Sequence, residues 1–299
     1  MTYWNKVATA THVMRYVWAH PANQKRKIQS EIRAVTWQVN KLLNKYWDLE
    51  VFGSLKLRCY PDSAWSGFAM YSNGYSDYHE MNFMQHYLQP GDNFLDVGAN
   101  IGIYTLLAAS IVGKAGQIDA FEPGLRALEI LRENIANNSL DQVNVYPVAV
   151  GKVPGNVSFI INQDTTNRIQ AINDVEKLVM EVPCVRLDDA LNGRKYAMGK
   201  MDIEGAELLA LQGAESLLSD ANPPVWLLEM KHSEDYGFTD QELCDFLAKY
   251  GYELAIYNAD NRELHWDKQP WKQNDNVLAI ARTEKDAVIK KINQNYVVK

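Results

Sequence analysis

The most constraining feature of this sequence is a regular alternation of short apolar runs with helical stretches between residues 94 and 282. Runs of this length separated by helices are typical of strand-helix units in a parallel sheet. Five runs are predicted to be its strands: "FLDV" from 94, "GQIDAFEP" from 116, "VNVYPVAV" from 143, "YAMGKMDIEG" from 196 and "PVWLLEM" from 224. Two later runs, 252–258 and 276–282, are separated by a polar loop without a crossover helix and are predicted to pair antiparallel. The sequence therefore predicts a mostly parallel α/β sheet.

Other segments are predicted to be attached to this sheet. Residues 28–47 are predicted to form an amphipathic helix, expected to pack on the body through Ile28, Ile32, Val35, Val39, Leu42 and Trp47. Residues 49–60 alternate across Gly53-Ser54 and predict a hairpin, and "GNVSFIIN" with "EVPCVRLDDAL" predicts an inserted hairpin or edge region. The expected organisation is an N-terminal extension over 1–70, a main domain over 71–282 and a polar tail over 283–299.

Charge is distributed unevenly, and this bears on possible partners. The net charge is −7, but residues 1–50 contain eight Lys and Arg against three Asp and Glu. The acidic remainder argues against nonspecific nucleic-acid binding, which needs a basic face. Lys25, Arg26 and Lys27 can contact an anionic membrane surface or belong to a solvated helix face. We expect a cytoplasmic protein, with peripheral contact at the inner membrane surface as one option. The three dispersed cysteines are expected to be buried thiols.

Acidic residues stand at four of the five predicted strand ends, where open parallel sheets bind ligands. The glycine stretch "DVGANIG" after the first strand lacks the GxxxxGK[ST] pattern of a P-loop. It also fits a dinucleotide GxGxxG poorly, because Asn100 and Ile103 occupy two glycine places. S-adenosylmethionine, which has a ribose diol and positive sulfonium and ammonium groups but no phosphate, favours carboxylates. The sequence therefore predicts this donor.

The chemical groups of S-adenosylmethionine suggest a role for each residue of the loop and for Glu122. Gly98 and Gly102 allow close backbone approach to the methionine part, and Asp96 fixes the loop and attracts the ammonium group. Glu122, at the end of the next strand, accepts hydrogen bonds from both ribose hydroxyls. An ordinary strand-to-helix turn is the alternative reading of this loop.

The same stretches resemble the FkbM family of S-adenosylmethionine-dependent methyltransferases. The resemblance covers about residues 70–282 and rests on "FLDVGANIGIYT", "IDAFEPG", "VPCVRLDDAL", "KMDIEGAELLALQGAESLL" and "LLEMKH". It implies a Rossmann-like class I methyltransferase fold with a seven-stranded, mostly parallel sheet whose last strand is antiparallel. It also implies methyl transfer to a hydroxyl, often on a sugar, glycan or secondary metabolite. "YHEMNF" looks like the family's acidic helix, so Glu80 either covers the methionine end of the donor or is a helix-surface carboxylate.

Site residues follow from these arguments. The predicted donor-binding set is Glu80, Asp96, Gly98, Ala99, Asn100, Gly102, Glu122, Ala149 and Asp202. The bases that could accept an acceptor's proton lie at the ends of strands four and five, and they are Asp202, Glu204, Glu229 and His232. Among these, Asp202, Glu229 and His232 are the predicted catalytic residues. Asp202 could instead cap a helix, Glu229 could pair with Lys231, and His232 could be solvated.

Several alternatives stay open from the sequence. Asp202, Glu204 and Glu229 could hold a divalent ion, but no metal is predicted because their spacing does not demand one. The acceptor could be an amine or peptide nitrogen instead of a hydroxyl. A noncatalytic nucleotide-binding or scaffold protein and an NAD(P)-dependent oxidoreductase are alternatives from other classes. The aromatic residues between 60 and 80 either stack on sugars at the pocket mouth or form a packed layer.

Overall fold

The computed structural model describes residues 3–161, 167–171 and 178–294 of the chain. Its helices are α1 Tyr3–Ala19, α2 Lys27–Leu42, α3 Ala64–Ser72, α4 Tyr78–Tyr87, α5 Ile103–Val112, α6 Leu125–Asn137, α7 Leu187–Ala190, α8 Glu207–Leu211, α9 Glu215–Leu218, α10 Asp240–Lys249 and α11 Lys285–Asn293. Its strands are β1 Trp47–Val51, β2 Leu55–Cys59, β3 Phe94–Val97, β4 Ile118–Phe121, β5 Val143–Tyr146, β6 Ala149–Val150, β7 Gly155–Ile160, β8 Val179–Val185, β9 Met198–Met201, β10 Val225–Glu229, β11 Tyr252–Asn258, β12 Glu263–Trp266 and β13 Asn276–Ala281.

The main sheet has the strand order β12-β11-β13-β10-β9-β3-β4-β5. The five strands β5, β4, β3, β9 and β10 are parallel, and β13 lies antiparallel between β10 and β11. The mostly parallel Rossmann-like sheet is therefore confirmed, together with its antiparallel last strand. From β3 the chain first builds outward through β4 and β5 and then returns to add β9 on the other side. Strand order thus reverses between β3 and β9, where ligands bind in sheets of this kind.

Hydrophobic side chains from alternate strand positions fill both faces of this sheet. Phe94 belongs to the core under α4 and α5, whereas Leu95 belongs to the core under α8 and α10. Because both faces are covered, the parallel strands are apolar runs without a polar face. This burial leaves the carboxyl ends of the strands as the place where polar side chains meet a cavity.

The sequence prediction differs from the structure at three places in this region. The third run is divided between β5 in the main sheet and β6, which pairs with β8 in a separate three-stranded sheet. The loop before the last strand contains β12, so the main sheet has eight strands and not seven. Residues 207–218, the stretch after the fourth run, are predicted from the sequence to be one helix. The structure has two short helices there, α8 and α9, broken near Gly213, where a Cβ would lie 2.3 Å from the carbonyl oxygen of Gly151. These features depend on contacts between distant segments that local patterns do not reveal.

Both predicted hairpins are present. Strands β1 and β2 pair antiparallel, and β7 and β8 pair antiparallel over six residues each. The second hairpin, with β6, forms a small sheet whose Phe159 reaches the cavity described below.

Helix α2 presents the face opposite to the predicted one. Ser30, Ala34 and Trp37 are buried, whereas the apolar residues expected to pack on the body are exposed. The exposed residues of that set are Ile28, Ile32, Val35, Val39 and Leu42. Small residues allow α2 to lie close to its neighbours, and the Arg33 guanidinium donates to the carbonyl of Met70 and to Asn73. The prediction for this face was wrong because the buried side combines the small Ser30 and Ala34 with one large residue, Trp37, and forms no hydrophobic stripe.

The C-terminal segment also differs from the expectation. Within 283–299, expected to be a polar tail, α11 buries Val288 and Ile292 against the core that includes α4. The division into an extension, a main domain and a tail otherwise stays a prediction. Within the described part of the chain, no helix has both the length and the apolar character that crossing a bilayer requires.

Candidate active site

The glycine loop between β3 and α5 has an unusual backbone held by hydrogen bonds. Gly98, Asn100 and Gly102 have positive φ angles of 78°, 50° and 91°. The N–H groups of Gly98 and Ala99 both donate to the carbonyl of Phe121 at 3.0 Å. A Cβ on Gly98 would lie 1.9 Å from the carbonyl oxygen of Asp202, so no side chain fits there. The loop therefore joins the ends of β3, β4 and β9 into one wall.

Glu122 lies at the end of β4 with its carboxylate directed at this loop. One oxygen accepts from the N–H of Asn100 at 2.9 Å, and the other accepts from the N–H of Gly124 at 2.7 Å. Burial raises the pKa of Glu122 to about 7, although these two backbone hydrogen bonds lower it. Each carboxylate oxygen has two lone pairs, so both can accept one further hydrogen bond. Glu122 can thus accept two hydrogen bonds from a ligand, one at each carboxylate oxygen.

A cavity opens at the carboxyl ends of the strands. In open parallel sheets, ligands bind at this place. The predicted donor-binding residues in its wall are Gly98, Ala99, Asn100, Glu122, Ala149 and Asp202. The structure therefore brings six of the nine predicted residues together around one space.

Three predicted donor-binding residues do not line this cavity: Glu80, Asp96 and Gly102. Gly102 instead precedes the first residue of α5 as its N-cap. Glu80 is buried in α4 and accepts a hydrogen bond from the side chain of Asn274 at 2.8 Å. Its burial raises the pKa of its carboxyl group. Glu80 is therefore neither a surface carboxylate nor a wall residue.

Asp96 lies beneath the loop and is fully buried. Its Oδ2 accepts from the Thr105 hydroxyl at 2.5 Å, whereas no hydrogen-bond partner for Oδ1 is found among the residues described. Burial raises the pKa of Asp96, and the nearby Lys200 ammonium opposes this rise. The contact with Thr105 fixes α5 relative to β3. The structure thus places Asp96 under the loop, outside the cavity wall.

Lys200 is a buried cation for which the sequence analysis proposed no role. Its Nζ donates to the carbonyl of Gly98 at 3.0 Å and lies 3.1 Å from Oδ2 of Asp202. The same ammonium lies 5.2 Å from the centre of the Tyr104 ring. Burial lowers the pKa of Lys200, but the carboxylates of Asp202 and Asp96 raise it by more. A lysine within the apolar run "YAMGKMDIEG" was the signal that could have revealed this residue.

Asp77 is a second residue that the sequence analysis did not identify. It accepts a hydrogen bond from the Tyr104 hydroxyl at 2.8 Å. Burial, followed by the charge of Glu80, raises the pKa of Asp77 to about 6. Since Tyr104 lines the cavity, Asp77 orients a wall residue from behind.

Three carboxylates from two adjacent strand ends meet beside the cavity, whose wall includes Asp202 and Glu204 but not Glu229. One oxygen from each of Asp202, Glu204 and Glu229 lies within 4.8 Å of the others. Glu204 lines the cavity, has a positive φ of 58°, and has a pKa raised to about 7 by burial and then by Asp202. Burial and the neighbouring Asp202 and Glu204 also place the pKa of Glu229 well above its ordinary value. Carboxylate oxygens can bind a divalent cation, so the absence of a metal stays a prediction.

His232 stands apart from this cluster. It is exposed, has a positive φ of 63° and is not among the residues that line the cavity. Lys231, suggested as a structural partner of Glu229, has its ammonium 3.1 Å from a carboxylate oxygen of Asp275. The structure therefore gathers Asp202 and Glu229 and leaves His232 outside.

The opposite side of the cavity carries residues that the motifs did not indicate. Asn167, Arg168 and Ile169 line it, and Arg168 is 91% buried with its Nη2 3.1 Å from Asp235. Among the aromatic residues of 60–80, Trp65 lines the cavity, whereas Tyr71 and Tyr75 pack against the core. Trp65 also packs against the core, so the packed layer is present, and stacking on a sugar stays a prediction.

S-adenosylmethionine fits the chemistry of this wall. The two free acceptor positions of Glu122 suit a ribose diol, and the carboxylates of Asp202 and Glu204 suit positive charge. Lys200 in the wall is already paired with Asp202 and with the Gly98 carbonyl, so it does not form a phosphate site. The residues present therefore fit a cationic nucleoside better than a dinucleotide.

Comparison with known proteins supports this assignment. The family model described as Methyltransferase FkbM domain matches residues 96–254. The ribosomal protein L11 methyltransferase of Thermotoga neapolitana is 25% identical over 100 residues, which are 33% of this chain. The chain spans 37% of the length of that curated relative.

Solved structures of methyltransferases are also similar in part. Precorrin-6y C5,15-methyltransferase from Geobacter metallireducens has a TM-score of 0.39 at 11% identity, covering 68% of this chain and 86% of its own. A SAM-dependent methyltransferase from Aquifex aeolicus has a TM-score of 0.37 at 16% identity, covering 67% and 87%. At these scores the likeness supports no conclusion, and the assignment rests on the family match, which spans more than half of the residues. The chain therefore belongs to the FkbM methyltransferase family, whose methyl donor is S-adenosylmethionine.

Proposed function

We propose that this protein transfers the methyl group of S-adenosylmethionine to a hydroxyl group of a sugar, glycan or secondary metabolite. The observation that carries the proposal is the meeting of Asp202, Glu204 and Glu229 beside the donor cavity. A hydroxyl is a weak nucleophile until a base accepts its proton, so a carboxylate at this place supplies what the reaction needs.

The donor would be held by residues of the first two strand ends. Glu122 would accept hydrogen bonds from the ribose, and the Gly98–Asn100 backbone would border the methionine part. Ala149 would form part of the facing wall. Bound S-adenosylmethionine supplies a methyl carbon that its sulfonium has already activated. The remaining task of the protein is to position the acceptor and to remove its proton.

Glu204 suits the role of base best among the clustered carboxylates. A general base is most effective when its pKa lies near the working pH, and the pKa of Glu204 is about 7. Glu229 holds its proton more firmly because burial and two neighbouring carboxylates disfavour its charge. Asp202 is held by Lys200 at 3.1 Å and would position the acceptor or share the proton.

Residues opposite this cluster would bind the acceptor. The indole face of Trp65 can stack on a sugar ring, and the side chains of Asn167 and Arg168 can donate hydrogen bonds to hydroxyls. A small-molecule acceptor is therefore favoured. An amine acceptor is the second candidate, because the carboxylate cluster would also attract a cation.

Methyl transfer with an isotopically labelled donor would identify the acceptor in cell extract. Mass analysis and NMR of the labelled product are expected to show a methyl ether. A label on nitrogen would replace the proposal by N-methylation. No labelled product, despite measurable binding of the donor, would favour a noncatalytic binding or scaffold role.

The base is tested by Glu204→Gln on the identified acceptor. We expect kcat to fall by about 10²–10⁴-fold and the acidic limb of its pH profile near 7 to disappear. Glu263→Gln, an exposed glutamate on β12, is the matched control and should retain wild-type turnover. Unchanged turnover in Glu204→Gln, Asp202→Asn and Glu229→Gln would contradict catalysis by this cluster.

A further inference from the structure

An apolar stripe runs along the exposed side of α2. It consists of Ile28, Ile32, Val35, Val39 and Leu42, which are between 47% and 85% exposed. Their spacings of four, three, four and three residues place them on one face of the helix. The residues that α2 does bury lie on its other side. Within the part of the chain that the structure describes, this stripe is therefore left uncovered. Exposed contiguous apolar surface of this kind marks an interaction site.

Exposed cations flank the stripe at both ends. Lys25 and Arg26 precede α2, and Lys41 and Lys45 stand at its carboxyl end. Between residues 11 and 47, Glu31 is the one acidic residue in the sequence. The surface around the stripe is consequently cationic, although the chain as a whole has a net charge of −7.

Amphipathic aromatic side chains lie near the two ends of α2. Trp18 is 48% exposed, and the Lys27 ammonium lies 4.8 Å from the centre of its ring. Tyr46 follows the carboxyl end of the helix and is 53% exposed. Trp and Tyr favour the boundary between water and lipid, because their rings are apolar and their polar atoms can stay in water.

We propose that α2 docks on an anionic lipid bilayer, with the stripe in the boundary between headgroups and acyl chains. An amphipathic helix with cations and aromatic residues around an apolar face binds such membranes in the plane of the interface. The exposed cations supply charge complementarity with anionic headgroups. A second copy of the chain fits less well, since either orientation of two α2 helices would bring their cationic ends together. This inference does not depend on the reaction proposed above.

Vesicle flotation tests this docking with the full chain. Binding to phosphatidylcholine vesicles containing phosphatidylglycerol should exceed binding to pure phosphatidylcholine vesicles by about tenfold or more and should weaken in high salt. Val35→Ser/Val39→Ser should weaken binding to the anionic vesicles by about tenfold or more, because two valine side chains would no longer be buried among the acyl chains. Lys41→Glu/Lys45→Glu should weaken it to a similar degree.

Matched controls distinguish binding through this surface from nonspecific binding of exposed side chains to vesicles. Val153→Ser/Val179→Ser replaces two other exposed valines, which are 68% and 38% exposed, and Lys114→Glu/Lys152→Glu reverses two exposed lysines elsewhere. Both controls should bind vesicles like the wild type, and circular dichroism should show that every variant is folded. Equal binding by the α2 variants and the controls would overturn the proposal. So would a dimer in sedimentation analysis that Val35→Ser/Val39→Ser dissociates, because a second copy would then cover the stripe.

Discussion

At the scale of single residues, the buried charges explain why the glycine loop has its shape. Lys200 contacts the loop carbonyl of Gly98 and the carboxylate of Asp202 at about the same distance. Burial raises the pKa of Asp96, and the charge of Lys200 opposes this rise. One ammonium therefore compensates carboxylates from β3 and β9 while holding the loop in place.

Replacing this cation should destabilise the protein strongly. Lys200→Met keeps the side-chain length but leaves the buried carboxylates uncompensated, so we expect a loss of about 3–5 kcal/mol in the free energy of unfolding. Lys195→Met removes the exposed partner of Asp220 and should lose no more than about 1 kcal/mol. Urea denaturation at neutral pH measures both. Equal losses would mean that Lys200 does not support the site.

Some residues of the candidate site could be predicted from the sequence, and others could not. Glu122 could be predicted because it follows an apolar run, at the strand end where a carboxylate can accept hydrogen bonds from the ribose hydroxyls of the donor. The contacts of Lys200 could not be predicted, although a lysine within an apolar run marks the position as unusual, because the loop carbonyl that it binds belongs to Gly98, 102 positions away in the chain. Asn167 and Arg168 belong to no recognised motif, and the approach of their loop to the cavity depends on the inserted sheet.

At the scale of structural elements, the ends of β3 and β9 and the glycine loop pack so closely that there is no room for an added Cβ. The φ angle of Gly98 is 78°, and its Cβ position is occupied by the carbonyl oxygen of Asp202. Gly251, which follows α10, has a comparable φ of 82° but nothing within 4 Å of its Cβ position. Both glycines therefore have a positive φ, but only at Gly98 is the space for a Cβ already filled.

This pair isolates the effect of close packing. Gly251→Ala should destabilise the protein by about 1 kcal/mol, which is the strain of an alanine at positive φ. Gly98→Ala should cost more than this and should also abolish binding of S-adenosylhomocysteine, since β3 and β9 must separate to admit the methyl group. Thermal unfolding and calorimetric titration measure the two effects. Wild-type binding by Gly98→Ala would show that the loop is not part of the donor site.

Elements were predictable where a local pattern decides the structure. The five parallel strands followed from apolar runs, because strands covered on both faces have no polar side. Strand β12 was missed because its residues alternate between exposed and half-buried positions, so it lacks an apolar run. The face of α2 was assigned wrongly because Ser30 and Ala34 form its contact, whereas the more hydrophobic side faces solvent.

At the scale of the whole molecule, several buried carboxyl groups have raised pKa values at once. Burial raises the pKa of Glu122 to about 7 and that of Glu207 to about 8, from an ordinary value of 4.5. In the unfolded chain these groups release their protons near the ordinary value. Between about pH 4.5 and 8 the folded state thus binds more protons than the unfolded state, so stability must fall as pH rises.

Urea denaturation of the ligand-free protein across this range should show that fall. Glu207→Gln provides the test of its origin. Glutamine keeps the oxygen that accepts from the N–H groups of Ile203 and Gly205 and carries no charge. We expect the variant to come close to the wild type near pH 5 and to exceed its stability by about 4 kcal/mol above pH 8. A constant difference at all pH values would show that ionisation of Glu207 is not the cause.

The central claim is that the loop after β3 and the carboxylate at the end of β4 face one bound S-adenosylmethionine. Calorimetric titration with S-adenosylhomocysteine tests it most directly, in the wild type, in Glu122→Ala and in Glu129→Ala, which removes an exposed glutamate from α6. The wild type and Glu129→Ala should bind equally and should give no heat with NAD. Glu122→Ala should bind about 10–100-fold more weakly, because it loses hydrogen bonds to a charged acceptor. Undiminished affinity in Glu122→Ala, or binding of NAD in place of S-adenosylhomocysteine, would contradict the account.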